Sequence, residues 1–168
     1  MDLGETIVMK GRRYLVLLGF ILACNAAGSI GSIATYPNIP GWYASLEKPF
    51  FSPPNWLFAP VWTTLFTLMG ISLFLVWRST GFQGKGGAQA LYVFIAQMAL
   101  NVLWSFLFFG LRSPLYGLLG IIPLWLAILY TIMKFRRIDR RAGFLLVPYL
   151  AWVTIATLLN ISIFLLNP

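Results

Sequence analysis

The sequence predicts an all-α integral membrane protein, a bundle of five transmembrane helices with a long structured loop between helices 1 and 2. Of the 168 residues, 60% are hydrophobic and only 10% are charged, whereas soluble domains carry about 25% charged residues. Five apolar runs have roughly the 20 residues that a helix needs to cross a bilayer. The length favours a single domain covering residues 1–168.

Capping signals mark the ends of the five runs. Ser113 followed by Pro114 is typical of an N-cap with proline at the first helical position. We interpret Ser52-Pro53-Pro54 in the same way, as an opening of the second span. The predicted spans are Tyr14–Tyr36, Leu57–Trp77, Ala88–Leu111, Pro114–Lys134 and Gly143–Leu166.

The connection between the first two spans differs from an ordinary short polar turn. The stretch from Trp42 to Trp62 holds three tryptophans and four prolines. Proline fixes its own φ and restricts the residue before it. We therefore expect a loop of defined shape: residues 42–51 a mobile cover latched by Glu47 or Lys48, and residues 53–62 a stiff rim.

Basic residues predict the topology. Ten flank the runs on one side and two, Lys48 and Arg112, lie on the other. The positive-inside rule then places the N-terminus in the cytoplasm, and the C-terminus and the first loop outside. We expect a multi-pass protein of a prokaryotic cell membrane. A signal peptide cleaved before Cys24 is a second interpretation of the start, but apolar residues continue to Ile33 and favour an intact span.

The composition excludes several function classes. The net charge of +8 does not indicate nucleic-acid binding, because the basic residues sit at the edges of apolar runs and suit contact with anionic lipid. The chain has no histidine and only four acidic residues, which argues against a metal site and a catalytic triad. The spans lack ionisable interior residues, which argues against an ion-coupled transporter.

Three spans each carry a stripe of aromatic and polar side chains at helical spacing. Such stripes could line an apolar pocket with a few hydrogen-bond donors, the usual form of a site for a flat small molecule. They could equally be interfacial aromatic belts and interhelical hydrogen bonds. The stripes are Phe58, Trp62 and Phe66; Gln97, Asn101 and Trp104; and Tyr149, Trp152, Ala156 and Asn160.

The first span carries a ladder of small residues at every fourth position, from Gly19 through Ala23 and Ala27 to Gly31. Small residues let membrane helices approach closely. The ladder fits a homodimer interface and packing inside one monomer equally well.

Three motifs in order resemble the TspO/MBR family, the translocator or tryptophan-rich sensory proteins, also called peripheral-type benzodiazepine receptors. The resemblance covers roughly residues 14–166. The motifs are Trp42-Tyr43-x-x-Leu46-x-Lys48-Pro49 continued by Pro53-Pro54-x-Trp56-x-Phe58-x-Pro60-x-Trp62-Thr63; Gln97-x-Ala99-Leu100-Asn101-x-x-Trp104 with Phe108-Phe109-Gly110; and Val147-Pro148-Tyr149-Leu150-x-Trp152 with Ala156-Thr157-x-x-Asn160.

The resemblance implies a homodimeric five-helix bundle that binds porphyrins such as protoporphyrin IX and haem under the first loop, with no obligatory cofactor. It implies that synthetic isoquinoline-carboxamide and benzodiazepine ligands share the pocket. Trp62 and Asn101 would be the polar contacts, and Trp42 and Trp152 are similar to tryptophans implicated in porphyrin photodegradation in bacterial members. The implied pocket residues are Tyr43, Pro53, Trp62, Phe66, Asn101, Trp104, Trp152 and Ala156.

The sequence departs from the family pattern in two places. The residues after Asn160, Ile161-Ser162-Ile163-Phe164-Leu165, lack the Tyr and Arg of the mammalian cholesterol-recognition pattern, so we do not expect cholesterol binding through it. Tyr92 replaces the first member of the small-residue pair before the third-span Gln. The first-span ladder is then the alternative dimer surface.

Three functions remain open. The first is a receptor or sensor that binds porphyrins, with a role in tetrapyrrole regulation or stress response. The second is an enzyme that degrades protoporphyrin IX in light and oxygen, and the third is a transporter of porphyrins or other lipophiles. We prefer binding, because it needs neither the general base and metal that the chain lacks nor an alternating-access repeat.

Overall fold

The computed structural model describes the backbone of residues 3–167 and the side chains of residues 11–167. Within this range all regular structure is helical, and five helical segments are long and apolar enough to cross a membrane. The predicted fold class is confirmed. The helices are α1 (Leu3–Thr35), α2 (Phe58–Thr80), α3 (Gly84–Ser105), α4 (Pro114–Ile138), α5 (Arg140–Leu145) and α6 (Val147–Leu166); α5 and α6 together form the fifth span.

Local chemistry fixes several helix ends. Ser113 caps α4, as predicted, because its hydroxyl accepts a hydrogen bond from the Tyr116 amide at 3.4 Å. The Asp139 carboxylate accepts bonds from the first amides of α5. Gly81 ends α2 in the left-handed conformation, with a φ of 60°, which glycine adopts at little cost. Pro148 has no amide hydrogen, and the helix of the fifth span is interrupted between α5 and α6 just before it.

Contacts between helices define the bundle. Helix α1 packs against α2 and α3, and α4 packs against α3, α5 and α6. Helices α1 and α2 approach each other closely at Gly70, where an added Cβ would lie 2.6 Å from the Ile21 Cα. Asn160 on α6 donates to the Pro114 carbonyl at 2.9 Å and so ties α6 to the start of α4.

The predicted loop between the first two spans is shorter than its sequence suggests. Helix α1 runs on through a 3₁₀ turn (Tyr36–Asn38) and a wide π turn (Ile39–Tyr43), so Trp42 and Tyr43 belong to a helical extension. The predicted helix opening at Ser52-Pro53-Pro54 is wrong. Pro54 is extended, with ψ at 144°, and a 3₁₀ turn at Asn55–Leu57 precedes α2. Proline disfavours helical geometry in the residue before it, so Pro53 cannot begin the helix.

Two polar side chains hold the connecting segment 46–54. The Lys48 ammonium donates to the carbonyls of Tyr43 (2.9 Å), Ala44 (3.2 Å) and Leu46 (2.7 Å). It thereby satisfies free carbonyls at the end of the α1 extension and places a cation at the negative end of the helix dipole.

The second fastening joins this segment to the end of α6. The Asn167 side-chain amide accepts from the Glu47 backbone N–H at 3.0 Å and donates to the Glu47 carbonyl at 3.0 Å. We call this pair the Asn167 clasp. Glu47 takes part through its backbone, whereas Lys48 bonds its own helix end. The mobility of this segment stays a prediction.

The two ends of the bundle differ in charge as the sequence indicates. Arg112 lies at the end that carries the first connection, where its Nε donates to the Asn38 side chain at 2.9 Å. At the opposite end Arg78 comes within 4.0 Å of Asp139, among the other basic residues of the loops after α2 and α4. The orientation of these ends across the membrane stays a prediction.

The small-residue ladder on α1 does not form one surface. A Cβ at Gly31 would lie 3.0 Å from the Ser105 hydroxyl of α3, whereas one at Gly19 would meet nothing within 4 Å among the described residues. Ala23 and Ala27 line an apolar groove of about 640 Å³ between α1 and α3. One end of the ladder is therefore used for packing inside the monomer.

Replacing Gly70 by alanine should destabilise the bundle by about 1–3 kcal/mol, as overpacking of a tight contact does. The new Cβ would meet the backbone of Ile21 and the Phe20 carbonyl, which no side-chain rotation can relieve. Thermal unfolding in detergent should show a lower midpoint for Gly70→Ala. The matched control is Gly19→Ala, which should not lower it. Equal midpoints for the two variants would contradict the close approach of α1 and α2.

Candidate functional site

A pocket of about 260 Å³ lies between α1, α2 and α3, toward the end of the bundle that carries the first connection. Its walls combine aromatic rings with hydroxyl and amide groups. No described residue in the lining carries a charged side chain. The lining comprises Asn25, Gly28, Ser29, Ser32, Thr35, Tyr36 and Ile39 from the first helical segment, Phe58, Ala59, Trp62, Thr63 and Phe66 from α2, and Asn101, Trp104, Ser105 and Phe109 from α3 and the π turn after it.

Stacked rings form the aromatic wall. Trp62 lies on Phe66 with ring centroids 5.5 Å apart and planes 27° apart, and Trp104 lies on Phe108 at 5.6 Å and 16°. Offset stacking of this kind is the favoured geometry for aromatic pairs. Each indole ring that lines the pocket from α2 or α3 is thus held in place by a stacked phenylalanine ring.

Asn101 is fixed by a hydrogen bond from its amide. It is 3% exposed, and its Nδ2 donates to the Tyr149 hydroxyl of α6 at 2.8 Å. A bond between two buried polar groups holds both in place, because leaving either group unpaired in an apolar interior is costly. Tyr149 is therefore a supporting residue for Asn101.

Trp104 lines the pocket with its indole ring. It is 7% exposed, and within the described part of the chain its buried Nε1–H has no hydrogen-bond acceptor. Its Cδ1, next to Nε1, lies toward Gly120 of α4, so the ring is the part of Trp104 that a ligand in the pocket can contact.

The wall formed by α1 is polar, and sequence reasoning did not assign it to the site. Asn25, Ser29, Ser32 and Thr35 line the pocket. The Ser29, Ser32 and Thr35 hydroxyls donate to carbonyls of their own helix at 3.0, 2.7 and 3.2 Å. A usable signal was present, because these polar residues recur at three- and four-residue spacing in an otherwise apolar span.

The structure brings four of the predicted site residues together. Trp62, Phe66, Asn101 and Trp104 line the pocket. Tyr43, Pro53, Trp152 and Ala156 do not line it in this structure. Their role in ligand binding stays a prediction.

The aromatic predicted residues outside the pocket pack around it. Tyr43 is 1% exposed, and its ring lies 5.7 Å from that of Phe109. The ring centroids of Trp152 and Phe58 lie 6.1 Å apart, and those of Trp42 and Phe109 lie 6.4 Å apart. Each of these three residues is thus separated from the cavity by one ring that lines it.

The sequence that forms this pocket can be compared with known protein families. The TspO/MBR family profile matches residues 20–166, a range that includes every described lining residue. The chain belongs to the TspO/MBR family.

Relatives in this family span nearly the whole chain. A tryptophan-rich protein TspO of Archaeoglobus fulgidus is 47% identical over 91% of this chain and 97% of its own length. A tryptophan-rich sensory protein of Cereibacter sphaeroides is 36% identical over 92% of each chain. The human translocator protein is 35% identical over 85% of each chain. Membership in this family and the five apolar helices establish a multi-pass membrane protein.

Replacing Tyr149 by phenylalanine should destabilise the protein by about 1–3 kcal/mol, because the buried Asn101 amide then loses its acceptor. Thermal unfolding of the ligand-free protein measures this loss. Tyr116→Phe is the matched control, since Tyr116 is 49% exposed, and should unfold at the wild-type midpoint. Wild-type stability of Tyr149→Phe would show that the Asn101–Tyr149 bond does not hold the site.

Proposed function

We propose that this protein is a membrane receptor or sensor that binds porphyrins, protoporphyrin IX in particular, in the pocket between α1, α2 and α3. The observation that carries the proposal is the pair of indole rings, Trp62 and Trp104, in an aromatic pocket whose described lining has no charged side chain. A tetrapyrrole offers flat faces to these rings. Binding would report tetrapyrrole supply in regulation or stress.

The family supports a receptor or sensory role. One relative is named a tryptophan-rich sensory protein, and others are named translocator proteins. These names describe those proteins, and the pocket of this chain supplies the physical argument. Homodimer formation and binding of synthetic isoquinoline-carboxamides or benzodiazepines stay predictions.

The size of the pocket sets how a porphyrin would bind. Drug-sized ligands occupy pockets of about 300–1,000 Å³, and this one measures about 260 Å³. A tetrapyrrole therefore inserts one edge, with the Trp62 and Trp104 rings against it. The rest of the macrocycle extends toward the open side of the pocket, or α1 moves outward to admit it.

Binding in this pocket does not depend on iron. Haem iron is held by His, Cys, Met or Tyr in proteins. The chain has no histidine, and the described lining contains neither Cys nor Met. Tyr36 is the one candidate ligand in that lining, and it is 80% exposed. Contacts with the macrocycle, rather than with the metal, supply the affinity.

Titration with protoporphyrin IX in detergent should quench tryptophan fluorescence saturably. Trp104→Phe replaces the indole of the pocket wall by a smaller ring and should weaken binding about 2- to 10-fold, the loss of an aromatic contact of about 0.5–1.5 kcal/mol. The matched control is Trp125→Phe, whose indole donates to Thr154 at 2.8 Å between α4 and α6 and should bind like wild type. Absence of saturable quenching by the folded wild-type protein would overturn the proposed function.

Haemin and protoporphyrin IX should bind within about tenfold of each other, since the iron has no strong ligand in the pocket. Absorption spectra of bound haemin should be the same for wild type and Tyr36→Phe. Much tighter haemin binding that is lost in Tyr36→Phe, together with a changed Soret band, would instead indicate ligation by this tyrosine.

A further inference from the structure

The pocket is closed toward the first connection. Tyr43 is 1% exposed, and its ring meets those of Phe108 and Phe109 at 6.3 and 5.7 Å. Trp42 packs edge-on to Phe108 at 5.3 Å. Above these rings the connecting segment is held by Lys48 and by the Asn167 clasp. A ligand that came through this end would have to break the clasp and separate the rings.

The pocket is open on the side between α1 and α2. Five residues line it and are exposed on the outer surface of the bundle: Ser29, Ser32 and Tyr36 on the first helical segment, and Ala59 and Thr63 on α2. We call this gap the side opening. All five lie within membrane-spanning segments and all but Tyr36 have small side chains, so the side opening faces the acyl chains of the bilayer.

The chemistry of the side opening suits an apolar ligand in lipid. Three of its hydroxyls already donate to backbone carbonyls of their own helices, Ser29 at 3.0 Å, Ser32 at 2.7 Å and Thr63 at 2.9 Å. These three donors stay satisfied as a ligand passes, whereas an unsatisfied one would cost several kcal/mol in hydrocarbon. The rim contains no charged residue that would repel an apolar ring system.

We infer that the ligand exchanges directly with the bilayer through the side opening, while the connecting segment above the pocket stays fastened. The inference rests on the proposed function and names the route by which that pocket is loaded. The ligand class is a flat molecule dissolved in the membrane, and its source is the leaflet next to the first connection. This route differs from the lid movement that the sequence predicts.

A blocked passage has a kinetic signature that a lost contact does not share. An obstruction in the path raises the barrier for binding and for release by the same amount, so both rates fall and the equilibrium affinity is preserved. Loss of a wall contact changes the affinity, mainly through faster release.

The test measures both rates for protoporphyrin IX with the full-length protein in lipid nanodiscs. Stopped-flow quenching of tryptophan fluorescence gives association, and transfer to excess albumin gives release. Ala59→Phe narrows the side opening. Its matched control is Ala151→Phe, an exposed alanine of α6 outside the pocket lining. Asn167→Ala opens the clasp.

Ala59→Phe should slow association by about tenfold, equivalent to about 1.4 kcal/mol of barrier, and should slow release as well. Ala151→Phe and Asn167→Ala should keep wild-type rates. Should Ala59→Phe fail to fold, Ala59→Leu and Thr63→Phe are read in the same way.

Three results would overturn the route and leave the proposed function intact. The first is association and release at wild-type rates in the folded variants at Ala59 and Thr63, and the second is faster binding and release in Asn167→Ala. Reduced affinity with an unchanged association rate in Ala59→Phe would also overturn it. Absence of saturable quenching by the wild-type protein would instead remove the proposed function, and the route with it.

Discussion

The rule that polar groups in a bilayer must find hydrogen-bond partners within the protein governs this structure. The hydrocarbon core offers no water to replace a missing partner. Ser72 on α2 therefore donates to the Ala142 carbonyl at 2.7 Å, Asn160 bonds Pro114, and Asn101 bonds Tyr149. These bonds tie helices that are distant in sequence. Among the described residues four buried side-chain atoms lack a partner: the Tyr43 hydroxyl, Gln97 Oε1, Trp104 Nε1 and Asn160 Oδ1.

The same rule shapes the surroundings of the pocket. At its closed end Lys48 satisfies three backbone carbonyls and the Asn167 side chain satisfies both backbone groups of Glu47. At its open side the serine and threonine hydroxyls bond their own helices. The pocket is thus closed at the connecting segment, where the backbone leaves the helix. It is accessible at the side opening, where both helices continue without interruption. A ligand that is soluble in lipid meets the second surface first.

Much of this arrangement was predictable from the sequence. Hydropathy indicates the five spans, and the periodic stripes together with the family resemblance identify Trp62, Phe66, Asn101 and Trp104. The helical state of Trp42 and Tyr43 was not predictable, because it depends on a π turn packed against the rings of Phe108 and Phe109. The α1 wall was overlooked because serine hydroxyls that bond their own backbone resemble ordinary helix residues. Tyr149 of the fifth-span stripe lies next to Trp62, with ring centroids 6.2 Å apart. The stripe therefore fills space between helices, and the sequence pattern alone could not show whether that space was filled or formed a cavity.

The most direct test of the central claim observes the indole signals of Trp62 and Trp104, whose rings line the pocket. In ¹H–¹⁵N spectra of the protein in micelles or nanodiscs, addition of protoporphyrin IX should shift both signals through the ring current of the macrocycle. The Trp125 indole, which donates to Thr154 outside the pocket lining, should keep its position. Trp62 and Trp104 signals that do not move at saturating ligand would contradict binding in this pocket.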